Sequence, residues 1–214
     1  MTQILKSISF LIVVVFLVSS CKKDNTTVVV PLTAVTVNDV IADTIIGVLP
    51  ITFQPYGAGK FTFYSLETKK IIASADSNSN KWDLAFRGTT IITNGGTSGP
   101  ALGGSFVYTG LFDDVKEVPV DSTFKIDNGA TLGITSGSGK GWYSYNPIAN
   151  LITPIPGRVL FIRTATGKYA KVEILNYYKG GVTPAVTASD ADKTTKQRYY
   201  TFRFIYQPNG TKKF

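Results

Sequence analysis

The chain has 214 residues, with 22 Lys and Arg against 14 Asp and Glu, a formal charge of +8. Apolar residues make up 43% and charged residues 17%, the balance of a globular chain long enough for one sizeable core. It contains no histidine, and its one cysteine and one methionine are Cys21 and Met1; this excludes a Ser–His or Cys–His catalytic pair and a zinc site built from His or Cys ligands.

The first segment reads as an address. Lys6 precedes a mainly apolar run from Ile8 to Val18, too short to span a bilayer and right for a signal-peptide core. Val18-Ser19-Ser20-Cys21 resembles a bacterial lipobox, in which the cysteine thiol is acylated and becomes the first residue of the mature chain. The expected organisation is a signal peptide over 1–20, a lipidated tether over 21–33 and one β domain over 34–214. Two or more acyl chains hold a protein stably on a membrane. Loss of 1–20 removes one base, Lys6, and takes the charge from +8 to +7. The mature domain then has no disulfide and relies on its core.

A single helical turn is expected near Asn38–Ala42. After it, strands recur at 60–66 (KFTFYSL), 81–93 (KWDLAFRGTTIIT), 104–110 (GSFVYTG), 141–147 (GWYSYNP), 158–164 (RVLFIRT), 168–178 (KYAKVEILNYY) and 198–207 (RYYTFRFIYQ). Period-2 alternation puts Ala170, Val172 and Ile174 on one face, opposite Tyr169, Lys171 and Glu173. It puts Tyr200, Phe202, Phe204 and Tyr206 opposite Thr201 and Arg203. Turn clusters separate the strands at 76–80, 94–104, 128–141 and 152–157. The pattern predicts an all-β, single antiparallel β-rich domain. Its two glycine-rich loops, 94–104 and 128–141, are longer than hairpins need, and long loops on a rigid scaffold are where binding concentrates.

Several motifs fail on their chemistry. GSGKG (137–141) has Gly141 where a phosphate-binding loop needs Ser or Thr, so no nucleotide site is expected. Asp76-Ser77-Asn78-Ser79-Asn80 begins like a calcium loop, but Lys81 replaces its turn glycine and Arg87 its closing Glu. Asp83 and Arg87 share a strand face and are read as a structural ion pair, with Arg87 at a ligand carboxylate as the functional alternative. Asp113, Asp114 and Glu117 are read as solvated loop charges, with acid–base carboxylates as the alternative. The basic residues are dispersed, so nucleic acid is not an expected partner.

Trp82-Asp83-Leu84-Ala85-Phe86-Arg87, Thr93-Asn94-Gly95-Gly96-Thr97-Ser98-Gly99, Gly103-Gly104, Gly141-Trp142, Arg158 to Arg163, Tyr169 to Ile174, Tyr177-Tyr178 and Tyr200 to Phe204 occur in order. Together they resemble the HmuY-like haem-binding lipoproteins of Bacteroidota, from about residue 60 to the end. The resemblance implies a hand-like all-β domain on the outer membrane that binds haem between loops and passes it to a TonB-dependent receptor. It implies two His or Met iron ligands, one from the loop before the Gly-Trp strand and one from the end of that strand. Here that loop, 128–140, offers Thr, Ser, Gly and Lys140, and the strand-end position falls at about Pro147. Tyrosinate also ligates ferric haem. Tyr143 or Tyr145 is therefore the expected weak iron ligand, with Trp142 and the tyrosines as stacking rings and Arg87 or Lys140 as propionate partners. The competing reading of Tyr143 and Tyr145 is packing against a neighbouring strand. The expected function is a non-enzymatic haem or porphyrin carrier for iron uptake. The alternatives are a structural or adhesive surface lipoprotein recognising a protein or glycan, and a carboxylate hydrolase.

Overall fold

The computed structural model describes residues 32–52 and 54–214. The expected signal peptide, the lipidation site Cys21 and the tether up to residue 31 lie outside them. Residues 32–214 form one compact unit.

The strands are, in chain order, β1 (Val35–Ile41), β2 (Gly47–Val48), β3 (Pro55–Tyr56), β4 (Thr62–Ser65), β5 (Lys70–Ile72), β6 (Leu84–Arg87) and β7 (Thr90–Thr93). They continue with β8 (Gly104–Thr109), β9 (Tyr143–Asn146), β10 (Leu151–Pro154), β11 (Arg158–Arg163), β12 (Tyr169–Tyr178) and β13 (Gln197–Gln207). All pairings between them are antiparallel. A five-stranded sheet runs β1-β13-β12-β11-β8 and a four-stranded sheet runs β5-β4-β6-β7; β2–β3 and β9–β10 are separate hairpins.

Alternation fixes what lies between the sheets. Leu160, Ile162, Ala170, Val172, Phe202 and Phe204 of the larger sheet meet Tyr64, Leu84, Phe86 and Ile91 of the smaller one in one buried cluster. Aromatic rings join the two layers. Phe86 stacks on Phe202 at 5.5 Å between centroids and Tyr64 meets Phe202 edge-on at 5.4 Å. Such pairs contribute about 0.5–1.5 kcal/mol each beyond burial.

The opposite face of β12, that of Tyr169, Lys171 and Glu173, is covered as well. Phe112 and Val118 pack on Val159 and Phe161, with Phe214 against the same cluster. Lys171 is buried among them, and its Nζ donates to the carbonyls of Phe112 and Val115, both at 2.6 Å. Burial pushes its ammonium pKa down. Beside it Arg203 bridges Glu173 and Asp113, at 2.6 and 3.1 Å, so Asp113 serves as an ion-pair partner.

The structure differs from the sequence expectations at five places. The expected helical turn near Asn38–Ala42 is the end of β1, whose register shifts between Val37 and Val40; Asp39 has a φ of 55° there and accepts from Gly180 N–H at 2.8 Å. The run 81–93 is a hairpin, turning at Gly88 with φ 54°, a conformation glycine adopts without strain. The stretch 152–157, read as a turn, begins inside β10 (Leu151–Pro154), which pairs with β9 from Leu151↔Asn146 to Pro154↔Tyr143. A seven-residue helix, α1 (Asp190–Lys196), is capped by Ser189, whose side chain accepts from Asp192 N–H at 3.1 Å.

The fifth difference is that Asp83 does not pair with Arg87. Residues four apart on a strand are separated by about 13 Å. Asp83 is instead buried, and its carboxylate accepts from Leu66 N–H at 2.8 Å and Ala165 N–H at 3.0 Å. It thus ties the smaller sheet to the turn after β11. Burial raises its pKa above the ordinary 3.8. A raised native pKa means that the folded state holds the proton over a window in which the unfolded chain has lost it. That contribution is complete below 3.8 and is lost as pH rises through the native value. Asp83→Ala strands two buried amides and should cost about 2–4 kcal/mol in urea unfolding. Measured against Asp83→Asn across a pH series, the wild type should lose relative stability as pH rises from about 4.

Candidate functional site

The stretch GWYSYNP folds as a hairpin arm whose two ends have different fates. Trp142 is 2% exposed, and its ring lies 4.9 Å from Tyr143, 5.1 Å from Tyr200 and 5.5 Å from Tyr177. Its indole N–H donates to the Thr89 carbonyl at 3.0 Å, which fastens β9 to the β6–β7 turn. This corrects the expectation of Trp142 as a stacking contact, because a ring closed in on this scale offers no face to a ligand. Tyr143 is half-buried against the same core and Tyr145 is 43% exposed.

The turn after β9 is set by its own sequence. Asn146 Oδ1 accepts from the Ile148 and Ala149 amides at 3.0 and 3.1 Å, and Asn150 closes the turn with φ 47°. The turn returns the chain into β10 and leaves Ile148 97% exposed.

Tyr143 and Tyr145 line a cleft of about 1160 Å³, somewhat above the ~300–1,000 Å³ range of small-molecule sites. Its apolar walls come from Val48, Pro55, Pro147, Ile148 and Ile152. A polar string crosses it: Tyr145 Oη donates to Asn150 Oδ1 at 3.2 Å, and Asn150 Nδ2 donates to Asp190 Oδ1 at 2.9 Å. Among the described residues Asp190 is the one charged side chain in the lining, and it is negative. The loop 128–140 contributes Ser138, whose Oγ accepts from Tyr145 N–H at 2.8 Å. Ser138 and Pro147 therefore border the same cleft, and they come from the loop and the strand end at which the resemblance puts iron ligands.

The phenols beneath the cleft are locked in the protonated form. Burial raises the pKa of Tyr177, Tyr178 and Tyr200, and for Tyr178 it outweighs the opposing hydrogen bond that its Oη accepts from Ile152 N–H at 2.9 Å. Only Tyr143 and Tyr145 among these rings line the cleft.

The other expected contacts are elsewhere. Arg87 lines a separate groove of about 880 Å³ with Phe61, Phe63, Ile92 and Leu132, and the two linings share no residue. Arg87 projects from the outer face of the four-stranded sheet, so the expectation of one ligand touching both Arg87 and the tyrosines is corrected. Lys140 is exposed in the turn before Gly141 and lines neither space.

Residues 58–189 match the family model described as HmuY protein. The chain belongs to the HmuY family. The matched span holds β9, β10 and both glycine-rich loops, and stops one residue short of Asp190. Solved structures with a similar fold include a candidate lipoprotein of Bacteroides fragilis, at 18% identity over 69% of this chain and 84% of that one, with a TM-score of 0.44. A candidate HmuY-like haem-binding protein of Bacteroides vulgatus gives 17% identity, 68% and 84% coverage, and a TM-score of 0.43. The apo HmuY analogue of Tannerella forsythia gives 16% identity, 83% and 96% coverage, and a TM-score of 0.43. No curated protein matches the chain.

Sequence reasoning missed the far wall of the cleft, Val48, Pro55, Asn150 and Asp190. One signal was present: residues 44–58 contain no charged side chain, and this stretch forms the β2–β3 hairpin at the cleft edge. Trp142→Ala should cost about 3–5 kcal/mol in denaturant unfolding, because it empties a closed ring site. Tyr145→Phe should change stability by less than about 0.5 kcal/mol, since its exposed hydroxyl supports nothing buried.

Proposed function

We propose that this HmuY-family chain is a lipid-anchored, non-enzymatic protein of the bacterial outer membrane that binds haem or a related porphyrin in the Tyr143–Tyr145 cleft and supports haem or iron uptake. The observation that carries this reading is the cleft itself: a space sized for a macrocycle, walled by apolar side chains, at the two chain positions where the family resemblance puts its iron ligands. Acylation of Cys21 supplies the anchor and a TonB-dependent receptor the acceptor.

The donor set fits the ring better than the iron. A porphyrin plane finds Tyr143, Tyr145, Ile148, Ile152, Val48 and Pro55. The iron finds no imidazole or thioether, and Tyr145 is the exposed phenol on the strand. Among the described residues no cation lines the cleft, and its one charged side chain is Asp190. For propionates the lining offers neutral hydrogen-bonding groups such as Gln54, Thr194 and Gln197, but no ion pair. Affinity then rests on apolar burial and stacking, at about 25 cal/mol per Å² of apolar surface removed from water.

Haemin and protoporphyrin IX should therefore bind with affinities within about tenfold of each other, followed by the Soret band. Ile152→Asp, which places a charge in the apolar wall, should weaken both. A large preference for haemin that Tyr145→Phe abolishes would shift the weight to tyrosine ligation. No saturable Soret change with either porphyrin would overturn the carrier reading and favour recognition of a protein or glycan.

A further inference from the structure

We propose that the groove on the outer face of the four-stranded sheet is a second binding site, for an anionic amphiphile: an apolar or aromatic body carrying one carboxylate or sulfonate. Alternation in this sheet sends Tyr64, Leu84, Phe86 and Ile91 inward to the core and leaves Phe63, Ala85, Arg87, Thr90 and Ile92 outside. Ala85 lies between Phe63 and Ile92 on this face and is buried in one cluster with Trp82 and Ile92, which leaves Phe61, Phe63, Arg87, Thr90 and Ile92 to line the groove. Leu132 packs beside it from the loop 128–141.

The cation is held in place. The Arg87 guanidinium lies 4.3 Å from the Phe61 ring centroid, and Nη1 donates to Gly59 O at 3.4 Å. It has no carboxylate partner among the described residues, and no Asp or Glu lines the groove. A planar guanidinium stacked on a ring keeps its outer N–H groups free for a carboxylate fork. The single charge in the lining is therefore positive, the reverse of the tyrosine cleft.

The walls are also fixed. Asp127 is buried, and its two carboxylate oxygens accept from Thr93 N–H at 2.9 Å and Gly133 N–H at 2.8 Å, while its carbonyl accepts from Thr97 N–H at 2.9 Å. One residue thus holds both glycine-rich loops to the sheet. Gly96, with φ 63°, lies so close to the Asp127 carbonyl that any side chain there would collide with it. The groove is preformed, which lowers the ordering cost of binding.

Calorimetric titration of the full chain with 2-naphthoate and with its uncharged amide, 2-naphthamide, tests the site. The acid should bind about tenfold or more tightly than the amide. Arg87→Gln should erase that preference while leaving amide binding and the unfolding midpoint unchanged; Arg87→Lys should restore part of it. Ile152→Asp, in the tyrosine cleft, should leave both ligands unaffected. Equal binding of acid and amide, no saturable binding of the acid, or a preference that survives Arg87→Gln would each overturn the assignment. Loss of naphthoate binding in Ile152→Asp would do the same by moving the probe to the other cleft.

Discussion

The Trp142 indole is the constraint on which the ligand-facing half of the molecule depends. Its N–H is committed to the Thr89 carbonyl and its ring to Tyr143, Tyr177 and Tyr200. That single anchorage joins four pieces of backbone: the β6–β7 turn, the β9–β10 hairpin, the end of β12 and the first residues of β13. With Trp142 seated, Tyr143 rests half-buried on the core and Tyr145 faces outward. The crowding of rings in GWYSYNP therefore has two causes. Trp142, with Tyr143 partly against it, holds the hairpin down, and Tyr145 is left at the surface beside a cleft.

The buried carboxylates perform a parallel task for the loops. Asp83 and Asp127 each take backbone amides from distant segments, and neither has a cationic partner in these contacts. Hydrogen bonds to a charged acceptor are worth about 1.5–3 kcal/mol; Asp127 directs them to the glycine-rich loops, and Asp83 to the turn after β11 and the end of β4. The result is a rigid scaffold carrying two concave surfaces of opposite charge. The tyrosine cleft has an acid and an apolar wall; the outer groove has a stacked arginine and no acid. In this HmuY-family chain the pair of surfaces favours binding by shape and apolar contact, since neither lining carries an imidazole or thioether.

Much of the sheet architecture was legible because β11, β12 and β13 keep a period of two over many residues, and a period of two is a backbone property. The face of Phe202, Phe204, Val172 and Ile174 could be read directly. Where the alternation breaks, the reading failed. Asp39, at positive φ, interrupts β1, and Gly88 folds one apolar run back on itself. The cover of the opposite face of β12 was not legible, because Phe112, Val118 and Phe214 come from segments with no local link to it. The site shows the same division. The tyrosine strand could be found in the sequence; the wall facing it, from Val48 to Asp190, is assembled by tertiary contacts alone. The supposed Asp83–Arg87 pair failed on strand geometry, since a spacing of four that unites residues on a helix separates them on a strand.

The claim that a tetrapyrrole occupies the cleft beside β9 is tested most directly by amide hydrogen exchange of the full chain with and without protoporphyrin IX. The account predicts added protection at 143–152, with none at 96–100. Protection confined to 96–100 and 129–132, or absent from 143–152, would contradict it.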